Sequence, residues 1–162
     1  MLIERLNPRE SIGFLLYKSA RLCVNAFANR LEKAGLDISV EQWRLLIPLS
    51  RYPGISQRKL AELASQEKTG VSRLLSGLES KGYVRREDDP EDRRVKRLFA
   101  TEKGLDLLDR TVDLAHANNA SVAEGIDPEE FAVCKKVLLQ IILNHMGDHD
   151  CAAFLRGSAE AP

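Results

Sequence analysis

The sequence predicts a mainly α-helical chain carrying one small β-hairpin, and three features predict it. The first is the stretch Glu67 to Arg97, EKTGVSRLLSGLESKGYVRREDDPEDRRVKR, which reads as an amphipathic helix, a strand, an acidic turn and a returning strand crowded with arginine. The second is a pair of short helical stretches joined by a tight turn, of which that helix is the later member. The third is a set of long apolar stripes at helical spacing near both ends of the chain. Together these describe a winged helix-turn-helix with a helical dimerisation region. Apolar stripes of that length exceed what one small module can cover, and uncovered patches of that size mark interfaces.

Taken in order, Asn7-Pro8-Arg9-Glu10 supplies a capping asparagine, a proline for the first turn and a carboxylate placed to reach back. Ile12, Leu15, Leu16, Leu22, Cys23, Ala26, Phe27 and Leu31 then recur at helical spacing until Gly35, predicting a helix of about 27 residues, or about 40 Å. Ser39-Val40-Glu41-Gln42 caps a second helix with Trp43, Leu45, Leu46, Ile47 and Leu49, in which Pro48 is expected to kink or shorten the last turn. Arg51 to Gly54 reads as a turn, Ser56 opens a short third helix, and Ala64-Ser65-Gln66 turns the chain into the fourth, although no glycine marks that turn. Val71, Leu74, Leu75 and Leu78 share the buried face of the fourth helix, which ends at Lys81-Gly82. Tyr83 to Arg86 is strand-like, Asp88 to Asp92 a turn and Val95 to Ala100 the returning strand, with Leu98 and Ala100 facing inward. Thr101-Glu102-Lys103 caps a fifth helix with Leu105, Leu108, Val112, Ala115 and Val122 on one side. Asp127-Pro128-Glu129-Glu130 caps a sixth, whose stripe is Phe131, Cys134, Val137, Leu138, Ile141, Ile142 and His145. The expected division is 1–36 with 101–147 for the dimerisation region, 37–100 for the winged helix-turn-helix and 148–162 for a tail that frays.

A chain of 162 residues, 44% hydrophobic and 30% charged, suits a soluble globular protein. Apolar runs such as LLQIIL are too short to cross a bilayer and no secretory leader pattern opens the chain, so a cytoplasmic location and no membrane partner are expected. Cys23, Cys134 and Cys151 are widely spaced without a CxxC, which argues against disulfides and a zinc finger. His145 and His149 stand four apart, but Gly147 breaks the helix between them, so the plainer reading is a polar terminus and no metal or other cofactor is expected. A phosphate-cradling Gly-rich loop, GxSxG and HExxH are all lacking, so the chain is not expected to be an enzyme.

Net charge is zero, yet residues 51–100 hold twelve basic and eight acidic side chains, an excess of four. Five of those acids sit between Glu87 and Asp92, so the neighbouring helix and strand surfaces are more cationic still. The outer face of the fourth helix, Lys68, Thr69, Ser72, Arg73 and Ser76, bears the small hydroxyls and cations that can meet base edges and phosphates. Double-stranded DNA is the expected partner. Arg58, Lys59, Arg73, Arg93 and Lys96 would contact phosphate, while Thr69, Ser72 and Arg73 read bases. Arg93 and Arg94 can also be drawn as exposed ion pairs with Asp89 and Asp92, but the preferred reading has one member of that set anchoring the turn while Arg94 reaches DNA.

In SQRKLAELA, TGVSRLLSGLESKGYV, DPEDRR and the TEKG after the second strand, the chain resembles the MarR family of winged helix-turn-helix transcriptional regulators, over roughly residues 6–146. The resemblance implies a homodimer interlocked through the first, fifth and sixth helices. It also implies a repressor released by a small, often phenolic, ligand or by cysteine oxidation. By position, Lys68, Thr69, Ser72, Arg73 and Ser76 match the family's recognition-helix surface, and Asp92 with Arg94 matches its DxR wing tip, where the aspartate orients an arginine into the minor groove. A ligand pocket between the two layers would involve Tyr17, Trp43 and His116. Gly70 and Ala100 depart from the best helix former and from the family's usual leucine, respectively. A redox regulator using one of the cysteines and a winged helix that docks an acidic protein partner remain as alternatives.

Overall fold

The computed structural model describes residues 7–92 and 94–145 of the chain; Arg93, the tail and its His149 and Cys151 lie outside the described residues. Helix α1 spans Ile12–Lys33 and starts one turn later than the sequence predicts. Asn7 does accept from the Arg9 N–H at 3.1 Å and donate to Glu10 at 2.8 Å, but this closes a separate turn. Ser11 then takes an extended conformation and its hydroxyl accepts from the Phe14 N–H, so the helix has 22 residues. Gly35, at φ +69°, ends it with a paired terminus in which the Gly35 and Leu36 N–H groups donate to Glu32 and Leu31.

Helix α2, Val40–Arg51, begins in a reciprocal capping box between Ser39 and Gln42. Pro48 neither ends nor shortens it: the helix runs three residues on, and the Tyr52 N–H still donates to the Pro48 carbonyl at 2.9 Å. Ile55–Ser56 form a short strand, β1, which the sequence does not announce because two residues are too few to show alternation. Helix α3, Gln57–Leu63, is capped by Ser56, and α4 follows at Lys68–Ser80. Between them Ser65 adopts φ +49°, the left-handed conformation for which a glycine is usual, and the turn closes without one.

Strands β2, Val84–Asp88, and β3, Lys96–Ala100, form the expected hairpin. With β1 they make a three-stranded antiparallel sheet in the order β1-β3-β2, in which Leu98 lies opposite both Ile55 and Arg86. Thr101 caps α5, Glu102–Ala123, and Asp127 caps α6, Pro128–His145. The fold class is thus mainly α with a small sheet, as the sequence predicts.

The core is drawn chiefly from residues 31–98: Leu31, Leu45, Leu46, Leu49, Leu60, Val71, Leu75, Leu78 and Leu98 are almost wholly shielded. The end helices contribute little beyond Phe27, Leu31 and Leu107. On α5 the face turned to this core is Gly104, Leu107, Thr111 and Asn118. Of the stripe predicted for it, Leu108 and Ala115 are partly buried, while Leu105, Val112 and Val122 are exposed. Ile12, Phe14, Leu15, Tyr17 and Leu22 of α1 are exposed as well, and among the described residues α6 buries none. Among those residues, too, no helix is long and apolar enough to cross a membrane.

Gly104 sits where the start of α5 crosses β2: a Cβ there would stand 2.3 Å from the Tyr83 carbonyl oxygen, which already accepts from the Thr101 N–H. Gly70, by contrast, is helical with nothing within 4 Å. Gly104→Ala is therefore expected to lower stability by about 1–3 kcal/mol, and Gly70→Ala to raise it by about 0.5–1 kcal/mol. Urea unfolding midpoints at unchanged slope check both signs.

Candidate nucleic-acid interface

Helix α4 sinks Val71, Leu75 and Leu78 into the core, and this rotation turns Lys68, Thr69, Arg73 and Ser76 outward. Ser72 is half-buried at the edge of that face, and the Ser76 hydroxyl donates to its carbonyl at 3.0 Å. Ser76 therefore offers a ligand mainly its oxygen lone pairs, whereas Thr69 and Arg73 keep their donors. Gly77, on the inner side, lies against the Gln42 amide, so the capping box of α2 also seats α4.

Arg58 and Lys59, adjacent on α3, point differently. The Arg58 side chain is 75% exposed and touches Glu62 at 3.6 Å, whereas that of Lys59 is only 17% exposed and lies 3.8 Å from the same carboxylate. Arg58 is the better placed of the two for an incoming phosphate. Between α3 and the wing runs a groove lined by Ser56, Gln57, Arg58, Arg94, Val95 and Lys96, which brings two of the predicted phosphate contacts, Arg58 and Lys96, together with Arg94.

At the wing tip the Arg94 guanidinium forks onto Asp92, Nε to Oδ1 at 2.9 Å and Nη2 to Oδ2 at 3.0 Å, and the Arg94 N–H donates to Oδ1 at 3.0 Å. The arginine is still 90% exposed, so the pair aims the side chain without burying it. Such an exposed pair adds little stability; its effect is directional. Asp89 is the buried member of the tip. One of its oxygens accepts from the Glu91 and Asp92 N–H groups, and the other from Arg97 Nε at 2.6 Å. So among the described residues Asp89 pairs with Arg97, and Arg94 with Asp92. Lys96 contacts Asp88, and Arg85 contacts Glu87 while lying over the Phe99 ring. The contacts of Arg97 are the part of the tip that the sequence conceals: they depend on a register across three strands, and no local spacing encodes it.

The predicted ligand-pocket residues are not brought together. Trp43 lines a cavity of about 270 Å³ between α1, α2 and α5, with Cys23, Phe27, Arg44, Ala115, Asn118, Asn119 and Val122. Tyr17 is not among its walls; it is exposed on α1, where its hydroxyl accepts from Arg21 at 3.2 Å. His116 is exposed on α5 and does not line the cavity. The indole N–H of Trp43 donates to the buried Thr111 hydroxyl at 2.7 Å, and its ring meets Phe27 edge-on with centroids 4.7 Å apart. Asn118, also buried, has an amide oxygen without a hydrogen-bond partner. Cys23 is half-buried in that wall and Cys134 is exposed on α6.

Residues 35–95 match the model of the MarR family. The uncharacterized HTH-type transcriptional regulator YybA of Bacillus subtilis is 34% identical over 76 residues, 47% of this chain and 51% of the relative, so the chain spans about half that relative's length. A MarR-family transcriptional regulator from Rhodococcus sp. RHA1 superposes with a TM-score of 0.71 at 29% identity, over 80% of this chain and 91% of that one. A mutant of MarR from E. coli, in complex with operator DNA, shares the fold with a TM-score of 0.74 at 21% identity, over 80% and 92%.

The backbone N–H groups of Glu91 and Asp92 hold the Asp89 carboxyl below the ordinary aspartate range, and the Arg94 side chain and N–H do the same for Asp92. With both values depressed in the folded protein, the carboxylates stabilise the tip at neutral pH, and that contribution is lost only as pH falls through the depressed values. Carboxyl-carbon NMR titrations are expected to show both groups protonating below the ordinary aspartate range.

Proposed function

We propose, from the premise that this chain belongs to the MarR family of DNA-binding transcriptional regulators, that it works as a homodimeric repressor of a palindromic operator. Residues 37–100 meet DNA, while 1–36 and 101–147 pair the two copies. Two recognition helices held roughly 34 Å apart would enter successive major grooves. Thr69, Ser72 and Arg73 read base edges there, with Lys68 and Ser76 beside them. Arg58, Lys59, Arg93 and Lys96 meet phosphates, and Arg94, steered by Asp92, enters the minor groove.

The observation that carries this reading is the wing tip: a cation 90% exposed yet held by two hydrogen bonds from its guanidinium and one from its backbone N–H, accompanied by a recognition-helix face that is itself polar and outward. The apolar faces of α1, α5 and α6 support pairing, since Ile12 at 61% and Val133 at 61% exposure are poor surface residues for a lone chain.

Operator selection from random duplexes, followed by titration, tests the reading. The selected sites are expected to be palindromic, and Arg94→Ala to weaken binding about tenfold and flatten the salt slope by about 1. Weak, sequence-blind binding would instead favour a wing that docks protein, and sedimentation as a single chain would remove the dimer.

For the effector we place the site in the cavity beside Trp43. Phe27 and Trp43 supply flat apolar walls, Arg44 a cation at the rim, and Asn118 an acceptor awaiting a donor. An aromatic acid bearing an O–H or N–H group satisfies all three. Filling the cavity would press α2 away from α5 and shift the dimer from its DNA-competent spacing. Trp43 is the sole tryptophan, so its fluorescence reports occupancy directly. Hydroxylated aromatic acids are expected to quench it, and Asn118→Leu to weaken them about fivefold.

A further inference from the structure

We propose that Arg97 is a positioning residue for DNA binding, one that acts through Arg94 by fastening the wing tip to the turn before β1, with no phosphate contact of its own. The proposal rests on the DNA-binding reading above. Its geometry begins on β3, the centre strand, where Arg97 lies opposite Ser56 of β1 and Glu87 of β2. From there the guanidinium spans two anchors: Nε donates to Asp89 Oδ2 at 2.6 Å, and Nη1 to the Gly54 carbonyl at 3.4 Å. One anchor belongs to the wing and the other to the turn between α2 and β1.

Asp89 passes the restraint outward. Its Oδ1 accepts from the Glu91 N–H at 2.8 Å and the Asp92 N–H at 3.1 Å, and its own N–H donates to the Val95 carbonyl at 3.1 Å. These bonds set the backbone from which the Asp92 side chain projects, and that side chain aims Arg94. Two carboxylates therefore act in series: the inner one, buried and neutralised by Arg97, shapes the tip, and the outer one directs the arginine. Removing Arg97 leaves a buried carboxylate without its counter-charge, which favours opening of the loop toward water. A lysine cannot replace it, because a single ammonium lacks the planar fork that reaches both acceptors.

Affinity measurements on the full chain separate positioning from direct contact. Arg97→Gln and Arg97→Lys are each made alone and with Arg94→Ala, and titrated with the selected operator. Both are expected to weaken binding about fivefold to tenfold in the otherwise native protein, and to have no further effect once Arg94 is gone. Asp89→Asn, which keeps the shape and an amide oxygen for the tip N–H groups but loses the charge, is expected to behave the same way. Backbone amide exchange at Glu91 and Asp92 should accelerate in the Arg97 and Asp89 variants and stay unchanged in Arg94→Ala.

Native affinity in Arg97→Lys would show that charge alone matters. Full additivity with Arg94→Ala would show an independent contact. Unchanged amide exchange would show that Arg97 does not order the tip. Any of the three overturns the proposal. If the native protein binds no duplex, the DNA-binding reading falls by itself, and the exchange data still decide whether Arg97 holds the wing.

Discussion

The register of β3 is the constraint on which the rest depends. This strand lies between β1 and β2, and its Leu98, wholly buried, faces Ile55 on one side and Arg86 on the other. A slip of one residue would exchange the positions of Leu98 and Arg97, placing a guanidinium in the core and an aliphatic chain in the wing. Burial of Leu98 thereby dictates where Arg97 reaches, where Asp89 is held, and how the tip stands relative to α3 and α4. The packing of the core and the aim of the wing are consequences of one hydrogen-bonded ladder.

The acidic run at the end of β2 and in the turn that follows serves this arrangement. Glu87, Asp88, Asp89 and Asp92 contact Arg85, Lys96, Arg97 and Arg94 in turn. These carboxylates are engaged by bases of the hairpin itself, among them Arg94 and Lys96 of the groove beside α3, and not by Lys68 or Arg73 of α4. Net charge is consequently a poor guide here, because the distribution is set by pairings across the hairpin and not by counts along the chain.

Helix α5 shows how two demands share a single element. Its inner side carries Thr111 and Asn118 as well as Leu107, and the Trp43 to Thr111 hydrogen bond ties it to α2 across an otherwise apolar contact. Thr111 can be polar and buried because its hydroxyl also donates to the Leu107 carbonyl one turn earlier. Leu105, Val112 and Val122 face outward, as do Ile12, Leu15 and Leu22 of α1 and Val133 and Val137 of α6. The helix is thus laid out for the cavity on one side and for a second surface on the other.

Much of this was legible in the sequence because it is written in interactions that close within four residues. The caps at Ser39, Ser56, Thr101 and Asp127, the glycine stops, and the Val71, Leu75, Leu78 stripe all belong to that class, as does the Asp92 to Arg94 fork. Other features were settled only by the folded chain. Ser11 won the helix start from Asn7, Ser65 took a left-handed turn without glycine, Ile55 and Ser56 found a strand partner in β3, and α5 turned Leu107 and Thr111 to the core while leaving Leu105, Val112 and Val122 exposed. Arg97 joins residues 43 and eight positions away in sequence, and Trp43 meets Thr111 across 68. Periodicity tells which side chains share a face; which neighbour that face meets is decided by the competition of all apolar surfaces for one core, and that competition exists only in three dimensions.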